Sequence, residues 1–236
     1  MLAEAHATLG LLHYIFDWDW PAAEQEYRRA IEMNPGYPAA HQWYGLYLTA
    51  MGRTTEAIAE ARRAQALDPL SLIINTDLGL VFYRARQYDT AIATYRRTLE
   101  IEPEFVTARW ELGRALVASG AHAEGIAELD RAVQRSARNP VYLAALGHAY
   151  AIAGRTAAAK AVLAELETLS RRRFILPNLF VPIHAGLGNT DQAFAWLERA
   201  FEARSDFMIA LKVEPALDAL RSDPRFAAML RKMRLD

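Results

Sequence analysis

Small residues recur along this chain at one fixed interval. Ala23, Ala57, Ala91, Gly125, Ala159 and Ala193 each stand 34 positions after the last. Upstream of each lies a cluster of apolar, small and aromatic residues, seen most clearly as Leu78-Gly79 with Phe82 and Leu146-Gly147 with Tyr150. Four residues downstream comes Tyr27, Ala61, Tyr95, Leu129, Leu163 or Leu197, and three further on Ala30, Ala64, Thr98, Ala132, Leu166 or Ala200. Three- and four-residue spacing marks one face of a helix. Repetition at this longer interval implies paired helices stacked so that each pair buries its apolar face on the next.

The pattern predicts inner (A) helices over 4–17, 38–51, 72–85, 105–119, 140–153 and 176–187. It predicts outer (B) helices over 20–33, 55–67, 88–101, 122–136, 157–169 and 190–204. Asp19, Ser71, Asn139, Thr156 and Thr190 read as N-caps. Gly52, Gly120, Gly154 and Gly188 share one repeat position between A and B, where a left-handed residue ends a helix. Gly45, Gly79, Gly113 and Gly147 are expected to face Ala57, Ala91, Gly125 and Ala159 where the helices cross. Pro182 should shorten or kink the sixth A helix by deleting a backbone bond. Asp223 and Pro224 then open a final amphipathic helix carrying Phe226, Met229, Leu230 and Met233, expected to cover the open end of the stack. The first A helix, Leu9-Gly10-Leu11-Leu12-His13-Tyr14-Ile15-Phe16, is apolar nearly all round. It should therefore be covered, by an upstream segment or by a second copy of the chain.

Composition narrows the function. With 27 basic and 28 acidic residues the formal net charge is −1, which favours neither a nucleic-acid nor a membrane-surface partner. No cysteine is present, which removes disulfides and thiolate chemistry. The N-terminus carries no signal-peptide pattern, and no apolar run is long enough to span a bilayer. No metal-ligand, phosphate-loop or nucleophile motif occurs, so neither a metal nor another cofactor is expected and the chain does not read as an enzyme. Arg28-Arg29, Arg62-Arg63 and Arg96-Arg97 form a ladder that reads as a solvated outer face, with Glu26, Glu60 and Glu128 set to pair with Arg29, Arg63 and Arg131.

These repeat words, closed by Pro35, Pro69 and Pro103, resemble the tetratricopeptide-repeat family. The resemblance implies an all-α, right-handed α-solenoid. It divides residues 1–236, taken as one domain, into six helix pairs (about 4–37, 38–71, 72–105, 106–139, 140–173 and 174–206) and a C-terminal cap over 207–236. It also implies a concave groove that binds a protein or peptide. Taken by register, the groove presents Gln42, Leu46, Thr49, Thr76, Leu80, Tyr83, Arg84, Trp110, Arg114, Val117 and His148, with Ile73 and Ile152 beside them. On this reading, Trp110→Ala with Arg114→Ala should weaken partner capture without disturbing the fold. The clamp that chaperone-binding members use for a C-terminal carboxylate is not matched, because Asp77 and Glu111 fall where it needs neutral or basic residues. Phe16-Asp17-Trp18-Asp19-Trp20 and Leu220-Arg221-Ser222-Asp223-Pro224-Arg225-Phe226 are similar to the C-terminal repeats of bacterial winged-helix regulators, serine/threonine kinases and nucleotide cyclases. That likeness implies a sensing or scaffolding role, an output domain upstream, and a cytoplasmic site, or a periplasmic one if the parent carries a membrane helix. Self-association through the first helix or the groove is the alternative.

Overall fold

A computed structural model describes residues 2–236. Six helix pairs follow in chain order: α1 (Ala3–Leu12) with α2 (Trp20–Met33), α3 (Pro38–Ala50) with α4 (Thr54–Leu67), α5 (Leu72–Arg84) with α6 (Tyr88–Ile101), α7 (Val106–Ala118) with α8 (His122–Arg135), α9 (Pro140–Ile152) with α10 (Thr156–Ser170), and α11 (Val181–Gly186) with α12 (Thr190–Glu202). The odd-numbered helices pack on one another as an inner layer and each even-numbered helix packs outside its partner, so the chain is an all-α solenoid. No strand occurs among the described residues. Two short 3₁₀ turns (Asp206–Ala210 and Pro215–Leu220) and α13 (Pro224–Met233) complete the chain.

The helix pairs nest because no side chain separates their backbones. A Cβ on Gly79 would lie 2.3 Å from the Tyr95 ring, and one on Gly113 would lie 2.6 Å from Leu129 and 3.0 Å from the Gly125 carbonyl oxygen. The closest neighbour is thus often the residue four positions beyond the expected small one. Asp19, Ser71 and Asn139 accept the N-terminal amides they were expected to cap. Thr156 and Thr190 instead begin their helices, and Arg155 and Asn189 occupy the cap positions without a side-chain bond.

The inter-helix turns obey the repeat more strictly than their sequences do. Gly52, Gly120, Gly154 and Gly188 have positive φ, and so do Trp18 and Arg86 at the equivalent positions. A side chain is strained in this conformation, and both of these side chains reach the C-terminal region.

One polar device escaped the sequence reading. His41, Asn75 and Arg109 share a register, and each donates to the carbonyl oxygen that closes the preceding unit, that of Pro35, Pro69 and Pro103. His41 and Arg109 also bind Glu60 and Glu128, and Glu26 pairs with His6. Of the three expected outer-face pairs only Glu128–Arg131 forms, at 2.6 Å. Glu26 and Glu60 are drawn inward because the donor on the adjacent helix sits in a partly buried site, where an ion pair is screened less than on the surface.

The sixth pair is irregular as expected. Pro177–Leu179 forms a 3₁₀ turn, and α11 is six residues long. The C-terminal segment departs from the simple end-cap. Met208, Leu211, Leu217, Leu220, Phe226, Met229 and Met233 are buried in one core with Tyr14, Trp20, Tyr44, Tyr47 and Leu48 from the first two pairs. Trp20 Nε1 donates to the Met233 carbonyl at 2.9 Å, and the Arg204 guanidinium reaches the Phe16 carbonyl. The segment therefore ties the last pair to the first. Within the same chain it packs on the end of the first inner helix, around Tyr14, and leaves Leu12 and Phe16 exposed.

Candidate binding cavity on the inner face

The inner helices and the C-terminal segment line an open-sided cavity of about 700 Å³, within the range of small-ligand sites. Its walls are mostly apolar: Leu46, Leu80, Trp110 and Val117 from the inner helices, with Phe207 and Ile209 from the returning segment. Nine of the eleven sequence-predicted groove residues line it: Leu46, Thr76, Leu80, Tyr83, Arg84, Trp110, Arg114, Val117 and His148. Gln42 and Thr49 do not. Gln42 is buried and donates to Asp77 Oδ2 at 2.6 Å, and the Thr49 hydroxyl is turned back onto the Gly45 carbonyl. Ile152 lines the cavity and is partly exposed, whereas Ile73 is half-exposed outside it.

A charge cluster sits in one wall. Glu214, 1% exposed, accepts from Arg114 at 2.7 Å and from the Tyr83 hydroxyl at 3.2 Å, with Arg84 Nε 3.7 Å away. Arg114 also binds both oxygens of Glu111, at 3.0 and 2.8 Å, and its guanidinium lies over the rings of Tyr83 and Trp110. Burial opposes the charge on Glu214, but Arg114 and Arg84 overcome it and hold the carboxyl at about 2. Burial pushes the Glu111 carboxyl upward against the pull of Arg114, and the nearby Glu214 charge adds to the rise. The His148 imidazole, buried and facing Arg114, is lowered to about 4 and is neutral at pH 7. The Arg114 side chain is thus structural as well as groove-facing: removing it would leave two buried carboxylates without their main partner. That corrects the expectation of an undisturbed fold in the double variant.

Asp77 stands apart from this cluster. One of its oxygens accepts from Gln42, and no arginine forms an ion pair with it. Burial raises its carboxyl to about 6, reinforced by the Glu111 charge and opposed by Gln42 and Arg84. Two donors in the same walls, Arg84 Nε and Trp110 Nε1, are buried without a partner. Sequence reasoning used Asp77 and Glu111 only to reject a carboxylate clamp, and it missed Glu214. The available signal was a single acid between Val213 and Pro215 at the end of an apolar run.

Paired helices stacked around an inner cavity define the helical-repeat class of fold. The chain belongs to the tetratricopeptide repeat family, whose profile matches residues 19–71 and 76–140, half of the chain. It is 34% identical over 93 residues to the photosystem I assembly protein Ycf3 of Acaryochloris marina, covering 39% of this chain and 54% of that protein. It is 32% identical over 84 residues to Hsp70-Hsp90 organizing protein 2 of Arabidopsis thaliana, covering 36% of this chain and 15% of that one. The chain thus spans about half the length of these relatives or less. In three dimensions it is similar to PilW, a type IV pilus biogenesis factor, with TM-score 0.65 at 18% identity over 89% of this chain and 98% of that one. It is also similar to PilF of Pseudomonas aeruginosa, with TM-score 0.59 at 15% identity over 89% and 95%. At such identity these structures establish the fold. Tetratricopeptide repeats in general mediate protein–protein interaction and scaffolding. No helix among the described residues is long and apolar enough to cross a membrane.

Proposed function

We propose that residues 1–236 act as one non-catalytic unit that captures a protein or peptide segment in the inner cavity. We assign it to the sensing or scaffolding part of a bacterial signalling or transcription-regulatory protein in the cytoplasm. The observation that supports this reading is the convergence of nine register-predicted groove residues on one mostly apolar cavity. Apolar walls supply affinity, and a few fixed polar groups supply orientation. Leu46, Leu80, Trp110 and Val117 take the first role. Thr76, Tyr83, Arg84, Arg114 and His148 take the second, with Gln42 and Thr49 acting behind the wall. The carboxyl groups of Asp77 and Glu111 in the cavity walls disfavour a C-terminal carboxylate as the ligand.

Selection of random peptides displayed on phage tests this. Peptides enriched on the wild-type chain should lose at least about tenfold in affinity against Ala145→Phe, which fills the cavity from α9. Equal affinity for both proteins would place binding elsewhere. Self-association is the second reading, favoured by the exposed Leu12 and Phe16. A mass that rises with concentration in light scattering, and stays at one chain in Leu12→Ser/Phe16→Ser, would select it.

A further inference from the structure

The charges facing the cavity do not balance. Arg114 is occupied by Glu111 and Glu214, and Arg84 also faces Glu214. Three buried or half-buried carboxylates therefore share two guanidiniums, and Asp77 is the one that hydrogen-bonds a neutral amide, with Arg84 acting on it only through space. Asp206 and Asp218 also border the space, the latter already paired with Arg86. His148 supplies no compensating charge, being neutral. A buried carboxylate without a cation is costly, and an ion pair with a bound group relieves that cost. The walls of the same cavity include the aromatic side chains of Tyr14, Trp110 and Phe207 and the aliphatic side chains of Leu46, Leu80 and Ile209. Aromatic faces favour a cation, and aliphatic walls favour an apolar stem.

We infer that the cavity is a site for an ammonium group on an apolar stem, with Asp77 as its anionic anchor and Gln42 positioning that carboxylate. This rests on the cavity being the binding site and specifies the chemistry of its occupant. An anionic amphiphile would meet the acid excess, and a neutral one would leave Asp77 uncompensated. The shared chemistry has two sources: a lysine within an apolar partner segment, or a free amphiphilic amine.

Three probes of equal stem length, octylammonium, octanol and octanoate, test it by calorimetry at pH 7.5. Octylammonium is expected to bind at least about tenfold more tightly than octanol, the value of one charge-assisted hydrogen bond, and octanoate more weakly than both. In Asp77→Asn, which keeps an oxygen for Gln42, the octylammonium advantage should fall to within about twofold. Ala145→Phe should weaken octylammonium and octanol together. An N-acetylated, amidated Leu-Ala-Lys-Leu-Ala peptide, compared with its norleucine congener, separates the sources: a lysine-dependent gain lost in Asp77→Asn points to a partner segment, and a gain confined to octylammonium points to a free amine. Equal binding of octylammonium and octanol, or an advantage that survives Asp77→Asn, would overturn the inference. If Ala145→Phe still weakens both probes in that case, the cavity stands as a binding site and only its charge preference fails. If Ala145→Phe weakens neither, the cavity reading itself fails.

Discussion

Within α3 to α10 the long-range polar contacts span about one repeat at most: Gln42 reaches Asp77 across 35 positions, Arg96 reaches Glu124 across 28, and Arg109 reaches Glu128 across 19. The final thirty residues are held quite differently. Glu214 meets Tyr83 across 131 positions, Asp218 meets Arg86 across 132, and Met233 meets Trp20 across 213. Each regular unit is therefore specified by its neighbours, as expected of a quasi-one-dimensional array. The tail imposes a constraint that no single unit contains: it fixes how far apart the first and last pairs lie. A module whose cavity shape depends on that separation is only as rigid as the few contacts that set it.

The contrast is broken most directly at Glu214. Glu214→Gln keeps the side-chain shape but leaves Arg84 and Arg114 short of an anion in a buried site. It should cost roughly 3–5 kcal/mol, read by urea unfolding at pH 7. Because the folded carboxyl lies at about 2 against an ordinary 4.5, wild-type Glu214 stabilises fully above pH 4.5. The gap between wild type and variant should therefore narrow as the pH falls from 4.5 towards 2. A gap that does not change over that range would show that the pair is not the clasp.

Within the regular stack, Gly79→Leu drives side-chain atoms into the buried Tyr95 ring and should cost roughly 1–3 kcal/mol. Its damage should stay local, with hydrogen exchange rising in α5 and α6 before it rises in α13. Simultaneous opening of α13 would mean that the stack and the tail unfold as one unit.

Asp77→Asn runs in the other direction. The folded carboxyl lies at about 6 against an ordinary 3.8, so its ionisation costs stability that is absent below about pH 4 and fully present above 6. The variant should gain roughly 1–3 kcal/mol at pH 7.5 and almost nothing at pH 4, read as a shift in Tm. A gain that is the same at both pH values would show that something other than the charge is responsible.

Trp20→Phe removes the indole donor to the Met233 carbonyl and should cost about 1–3 kcal/mol, since a buried acceptor is left unpaired. The smallest effect belongs to Arg86→Gly. It loses an exposed pair with Asp218 but relaxes a positive φ, and the two should nearly cancel, within about 1 kcal/mol in the same unfolding assay.

The legible part of the molecule was the part governed by short-range rules. Helix faces, the caps at Asp19, Ser71 and Asn139, the left-handed glycines and the weakness at Pro182 all follow from residues a few positions apart. Nine cavity-lining positions were legible for the same reason: repeat register maps sequence spacing directly onto the inner face. The partners of Glu26 and Glu60 were not, because a donor on the facing helix outcompetes one on the same helix only when burial removes screening water.

By itself, then, the sequence determined an all-α stack of helix pairs and which residues face its inner side, because helical periodicity and small-residue crossings act within a single unit. Only the tertiary structure decided that the last segment returns to the first pair, that Glu214 lies between Arg84 and Arg114, and that Asp77 lines the inner cavity without an arginine partner. Those facts depend on the summed rotation of six units and on which distant charges that rotation brings together, which the spacing of residues within one unit does not record.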